Sequence, residues 1–126
     1  MSVPENLKYT KDHEWALISA DLVTVGITDY AVKELGDIVY VELPSVGNTA
    51  IKGNPIGTIE AVKTVADIYS PVSGEIVEVN QALTDQSELI NQDPYGAGWI
   101  AKIKLSNAAE TAELLNPADY QKLIGQ

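Results

Sequence analysis

The 126-residue chain contains no cysteine. Disulfides, thiolate nucleophiles and cysteine-based metal sites are therefore excluded, and the fold must stand on packing. It has one histidine, His13, so a His-rich metal cage is impossible and a Ser-His-Asp relay would have only that residue to use. No metal site is expected. Arginine is missing as well: all 8 basic residues are lysines, against 18 acids, for a net charge of -10. Without a guanidinium fork, and with a field that repels polyanions, neither nucleic acid nor an anionic membrane surface is a suitable partner. A macromolecular partner should be basic where it docks. The opening Met1-Ser2-Val3-Pro4-Glu5-Asn6 has neither a basic n-region nor an apolar h-region, and no stretch approaches bilayer length. The chain reads as cytoplasmic; a mitochondrial-matrix location would require a transit segment already removed.

What the chain does have is apolar material, 45% hydrophobic residues against 21% charged. That suffices for one core, and the length suits a single domain spanning residues 1–126. Val23, Val25 and Ile27 share one parity while Thr24, Gly26 and Thr28 share the other, which predicts two strands over 15–27 turning near Ala20-Asp21. A short helix is expected next, capped by Thr28 and closed by Gly36 in a left-handed exit. Further strands are expected at 37–43, 56–60, 66–70, 75–80 and 99–105, separated by Pro- and Gly-rich turns, with 81–93 a polar loop. The period then changes, and two short helices are expected over about 107–125, the second with Asn116 as N-cap and Pro117 at its first position. The fold class is mainly β: two small antiparallel sheets packed as a flattened barrel or sandwich, with a short helix and C-terminal helices.

One internal repeat stands out. Gly36-Asp37-Ile38-Val39-Tyr40-Val41 and Gly74-Glu75-Ile76-Val77-Glu78-Val79 agree at five of six positions when the acids are equated, and the turns Asn54-Pro55 and Asp93-Pro94 follow at nearly the same spacing. Two pseudo-symmetric β-halves are the structural reading. The plainer reading is that Gly-acid-Ile-Val-x-Val is simply good turn-plus-strand chemistry.

Between the halves lies Ala61-Val62-Lys63-Thr64-Val65. A hairpin tip normally uses Asn, Gly, Asp or Pro, which take positive φ or preset the turn. This tip has none, and its one charge is a lysine among small and β-branched groups. Such a tip wastes solubility unless another protein must read the lysine. The ordinary alternative is that Val62 and Val65 point inward and Lys63 is a solvated lysine like the other seven. His13, beside Trp15, reads as a packed or hydrogen-bonded structural residue with no catalytic role. Trp15, Tyr40, Tyr69 and Trp99 read as core or rim aromatics.

The segment from Glu60 through Lys63 and Asp67 to Asn80 closely resembles the lipoyl-lysine region of the H proteins of the glycine cleavage system. Lys11-Asp12-His13-Glu14-Trp15, the run from Gly36 to Pro44, and Asp93-Pro94-Tyr95-Gly96-Ala97-Gly98-Trp99 are similar to other signatures of that family. The likeness covers nearly the whole chain. Biotinyl carriers frame their lysine with methionines, whereas the only Met here is Met1; lipoyl domains of 2-oxo acid dehydrogenases place an acid before the lysine, where Val62 stands.

The resemblance implies a non-catalytic carrier, a monomer, with lipoate joined by an amide to Lys63 in a hairpin spanning about 56–70. Glu60, Val62 and Thr64 would frame the attachment site. The implied partners are a pyridoxal-phosphate glycine decarboxylase, which loads an aminomethyl group, a tetrahydrofolate-dependent aminomethyltransferase, which takes the carbon, and dihydrolipoyl dehydrogenase, which reoxidises the dithiol. A lipoate ligase or lipoyltransferase would attach the arm. In the family the loaded arm folds back for shelter, and Glu14 and Asp67 are the acids expected to receive its ammonium; the plain alternative is that both are solvated. Two departures stand beside the lysine, Ala61 and Ala66, where the family often has Ser; they put attachment efficiency or arm contacts in doubt. Alternative roles are a lipoyl-relay or regulatory carrier of the same type, and an unmodified β-sandwich interaction module.

Overall fold

The computed structural model describes residues 2–126. Its strands are β1 (Lys8–Tyr9), β2 (Glu14–Ser19), β3 (Leu22–Ile27), β4 (Ile38–Glu42), β5 (Thr49–Ala50), β6 (Pro55–Ala61), β7 (Val65–Tyr69), β8 (Gly74–Val79) and β9 (Ala101–Leu105). Helices are α1 (Asp29–Leu35), α2 (Ala82–Asp85), α3 (Leu89–Gln92) and α4 (Pro117–Leu123), with a 3-10 turn at Ala108–Glu113. Among the described residues no helix is long and apolar enough to cross a membrane.

Two antiparallel sheets share one core. The larger runs β1-β2-β3-β9-β8-β5 and the smaller β4-β6-β7. The expected pair of sheets is present but unequal, six strands against three. The extra members, β1 and β5, are two-residue strands that carry no periodicity of their own. Val23, Val25, Ile76 and Ile103 from the larger sheet meet Val41, Ile59 and Ile68 from the smaller, all buried. At roughly 1.5–3 kcal/mol for each large aliphatic side chain taken out of water, this shared layer is the main term holding the sheets together. A second cluster of Leu7, Tyr9, Trp15 and Tyr120 fastens the two ends of the chain to the outside of β2. In it Tyr9 and Tyr120 stack at 4.6 Å, nearly parallel.

The repeat has a structural counterpart. Ile38 faces Ala61 but Tyr40 faces Glu60, which leaves Val39 as an extra residue in β4. Ile76 faces Ile103 but Glu78 faces Lys102, which leaves Val77 extra in β8. The two bulges fall at the same place in Gly-acid-Ile-Val-x-Val, and both extra valines are exposed. The repeated sequence thus encodes a repeated bulged ladder, β4 on β6 and β8 on β9.

Helix α1 forms as its caps require. Thr28 Oγ1 accepts from the Ala31 N–H at 3.2 Å, and Val32 and Leu35 turn one face into the core. Gly36 ends the helix at φ 78° and ψ -148°, an extended positive-φ conformation open essentially to glycine alone, rather than the left-handed helical exit expected. Asn116 caps α4 as expected, accepting from Asp119 N–H at 2.8 Å with Pro117 in the first turn. The first of the two expected C-terminal helices is the 3-10 turn. Residues 81–93, expected to be a loop, fold instead into α2 and α3, because Leu83 and Ile90 are fully buried and tertiary packing supplies what a one-turn helix lacks.

Candidate functional site

The hairpin of β6 and β7 closes where Glu60 faces Val65, and the Ala61 N–H donates to the Thr64 carbonyl at 2.8 Å. Val62 and Lys63 are left as the tip. The tip is not free-standing: the Val62 N–H donates to the Asp37 carbonyl at 3.0 Å, across to the start of β4. Lys63 is exposed, and its stem lies over Gly36, with Cε 3.5 Å and Nζ 3.9 Å from where a β-carbon on that glycine would stand. Neither of the two ion pairs among the described residues involves Lys63. Val62 and Val65 are 75% and 61% exposed, so the reading in which these valines point inward is wrong. The cause is the short overhang, which leaves both beyond the core that Ile59 and Ile68 fill. Thr64 and Glu60 are exposed too; Glu60 stands in a cross-strand row with Tyr40 and Val65.

Beside the hairpin opens a cleft of about 160 Å³. Its floor is apolar, from Ile27, Ala31, Leu35, Ile59 and Ala66, and its rim carries four acids, Asp12, Glu14, Glu34 and Asp67, with His13. No lysine lines it. Leu35 adjoins the glycine under Lys63, and Ala66 and Asp67 lie three and four residues along β7 from the tip. At about 3.3 Å per strand residue that is roughly 10–13 Å from the lysine backbone. The cleft is shaped and charged for an aliphatic chain ending in a cation. A larger hollow of about 230 Å³ lies across Glu14, but it draws in Lys11 and Lys52 and the Lys52–Glu113 ion pair at 3.6 Å, so it lacks that selectivity.

Glu14 and Asp67, expected to receive an ammonium, do line one cleft, but they differ in kind. Asp67 is exposed, as a solvated acid is. Glu14 is only 2% exposed, which overturns the plain alternative for it. Burial raises its pKa from 4.5 to about 7, the Asp12 charge adding to the effect. Two hydrogen bonds oppose the shift, from the Thr10 hydroxyl at 2.6 Å and the Tyr69 N–H at 3.3 Å. Among the described residues no cation pairs with it, so an ammonium in the cleft would offset the burial that disfavours its charge.

His13 is fixed rather than reactive. Its Nδ1 lies 2.9 Å from the Tyr120 hydroxyl, its ring packs against Tyr30 at 4.6 Å, and its backbone sits at φ 72°. Burial lowers its pKa. The Tyr120 hydroxyl also meets Thr28 Oγ1 at 2.7 Å, tying α4 to both the His13 turn and the start of α1. Trp15 is buried and donates to the Pro94 carbonyl at 2.9 Å, whereas Tyr40 is 48% exposed. Sequence reasoning missed Thr10, whose hydroxyl orients Glu14, and Asn91, which braces the segment under the tip. Neither lies in a local pattern that marks it. Ala66 bears on the missing hydroxyl directly: it stands in the cleft floor, which a serine there would make polar.

A family model described as glycine cleavage H-protein matches residues 7–126. The chain is 59% identical over 128 residues to the glycine cleavage system H protein of Chlorobaculum parvum, covering all of both chains. It is 54% identical over 124 residues to the glycine cleavage system H protein of Thermus thermophilus, covering 98% of this chain and 97% of that one. A crystal structure of a glycine cleavage system H protein from Mycobacterium marinum matches with a TM-score of 0.91 at 43% identity, over 98% of this chain and 100% of the other.

Proposed function

Because the chain belongs to the glycine cleavage H-protein family, we propose that Lys63 is the residue to which lipoate is joined. The protein is a lipoyl carrier of the glycine cleavage system, and the finer roles of its residues follow from the site. The observation that carries the proposal is the presentation of Lys63: an exposed amine in no ion pair among the described residues, at a tip braced from below by Asp37 and flanked by solvent-facing valines. An unpaired amine keeps its nucleophile available once deprotonated, and a braced tip offers an attaching enzyme one geometry to bind. Glu60, Val62 and Thr64 are the framing side chains such an enzyme would read.

The residues present fit the group. An acyl chain on Nζ has an apolar trough beside it, and the trough ends at acids rather than at bases. Bound lipoate would supply a disulfide–dithiol couple, reduced when a one-carbon amine unit is taken up and reoxidised after it is given away, chemistry the side chains here lack. The chain itself contributes reach and shelter: Ile59, Ala66 and Leu35 exclude water, while Glu14 and Asp67 hold an ammonium. The partners on this reading are the pyridoxal-phosphate decarboxylase that loads the arm, the tetrahydrofolate-dependent transferase that unloads it, dihydrolipoyl dehydrogenase, and a lipoate ligase or lipoyltransferase, all in the cytoplasm. The excess of acids suits docking to basic patches on these enzymes.

The test is intact mass after incubation with lipoate, ATP and a lipoate ligase. One lipoyl-sized increment, mapped to Lys63 and lost in Lys63→Arg, is the expected result. A chain that stays unmodified under a ligase competent on a control carrier, or an increment on another lysine, overturns the assignment.

A further inference from the structure

Asn91 lies on α3, far in sequence from the hairpin, yet its side-chain amide closes on the segment beneath it. Its Nδ2 donates to the Gly36 carbonyl at 2.8 Å, and its Oδ1 accepts from the Ile38 N–H at 3.0 Å. The one residue spanned by these two bonds is Asp37, and the Asp37 carbonyl accepts the Val62 N–H at 3.0 Å. The Ser87 hydroxyl, from the turn before α3, donates to the Ile38 carbonyl at 3.2 Å and holds the same stretch from one side.

We propose that Asn91 is a positioning residue for acyl attachment at Lys63: it fixes the Gly36–Ile38 segment, which sets the Val62 amide and so the direction of the neighbouring lysine.

The need for such a brace follows from the backbone. Gly36 adopts φ 78° and ψ -148°, a region that glycine enters at little penalty and leaves as easily. The first residue of β4 is followed at once by the bulge at Val39, so the ladder to β6 is weakest where the tip depends on it. A two-pronged amide supplies both a donor and an acceptor to a stretch that the sheet alone leaves loose. Asn91 can do this because its own base is rigid. Ile90 is fully buried, and Gly98 packs so tightly on α3 that an added β-carbon would lie 2.8 Å from the Ile90 Cα. Asparagine is the smallest side chain with a donor and an acceptor in one plane.

The proposal rests on Lys63 being the attachment point, and the experiment separates the two. Steady-state lipoylation by purified lipoate ligase, with lipoate and ATP, is measured against carrier concentration for wild type, Asn91→Leu, Asn91→Asp and Asn116→Ala. Hydrogen exchange at the Val62 amide is followed in the same proteins. Asn91→Leu removes both bonds, Asn91→Asp keeps the acceptor for the Ile38 N–H but sets a carboxylate oxygen against the Gly36 carbonyl in place of the donor, and Asn116→Ala lowers stability at a cap unconnected to the tip. In Asn91→Leu the expected outcome is a fall in kcat/KM of about tenfold or more, with Val62 exchange faster by a similar factor. Asn91→Asp should likewise fall well below wild type with faster Val62 exchange, and Asn116→Ala should match wild type in both readouts. Asn91→Asp decides the matter should the leucine variant not fold. Lipoylation within about twofold of wild type in the Asn91 variants, or a Val62 exchange rate no faster than in Asn116→Ala, overturns the inference. Failure of the wild type itself to be modified at Lys63 overturns instead the attachment reading.

Discussion

Glu14 is a carboxyl held where its charge is unwelcome, and replacing it by glutamine should expose that as a pH-dependent stability. Burial moves its pKa from 4.5 to about 7. At about 1.4 kcal/mol per tenfold change in proton affinity, the ionised folded protein is penalised by roughly 3 kcal/mol relative to an unperturbed acid. The direction follows from which state lets its proton go first. Below the unfolded value the carboxyl is protonated folded and unfolded alike, and wild type bears no charge penalty. As pH rises toward 7 the unfolded chain loses the proton while the folded chain keeps it, so stability declines across that window and then levels off. Glu14→Gln has no such proton. Whatever its amide gains or loses against the Thr10 hydroxyl and the Tyr69 N–H, relative to the neutral acid, is the same at every pH and cancels when the two proteins are compared across pH. Urea unfolding of both, from about pH 4 to about pH 8.5, should show the variant gaining on wild type by roughly 3 kcal/mol, most of it between about pH 5 and 7. A stability difference that stays constant within about 0.5 kcal/mol over that range would refute the buried-charge argument and with it the idea of a cation-seeking acid in the cleft.

Two further substitutions probe the scaffold behind the site. Gly26→Ala would put a β-carbon 2.5 Å from the Trp15 ring, so the indole must move off its Pro94 bond; a loss of about 1–3 kcal/mol or more and a changed near-ultraviolet dichroism are expected, and an unaltered melting temperature would contradict the close packing. Tyr120→Phe deletes the hydroxyl shared by His13 and Thr28, with an expected loss of about 1–3 kcal/mol in denaturant unfolding; a neutral effect would mean that α4 is held by ring stacking on Tyr9 alone.

The elements that were legible in the sequence are those whose signal is local. Val23, Val25 and Ile27 alternate because one face of β3 is core, and Thr28 and Gly36 bracket α1 because a short helix needs both ends satisfied. The residues around Lys63 left two readings open, a lysine shown to an external reader and an ordinary solvated one, and it was the resemblance that singled this lysine out; the exposure of Val62 and Val65 removes only the inward-pointing valines of the ordinary reading. Glu14 and Asp67 were named only through the resemblance, and what the residues themselves hide, the burial of Glu14 and the bracing by Asn91, is set by partners distant in sequence. Glu14, Trp15 and Ala16 are consecutive and all buried, which no strand period permits with one core. It happens because the turn through His13 drops β2 between two clusters, so that Trp15 faces the terminal aromatics while Ala16 is taken by the main core. A glutamate at the head of such a strand reads as solvated, and only the pairing of β2 with β3 and the approach of Tyr69 close it in. Asn91 is hidden likewise, in a stretch that looks like loop because its helical turn exists only once Ile90 is buried. The lysine tip is thus a feature of its own segment, whereas the burial of Glu14 and the two hydrogen bonds of Asn91 are consequences of topology.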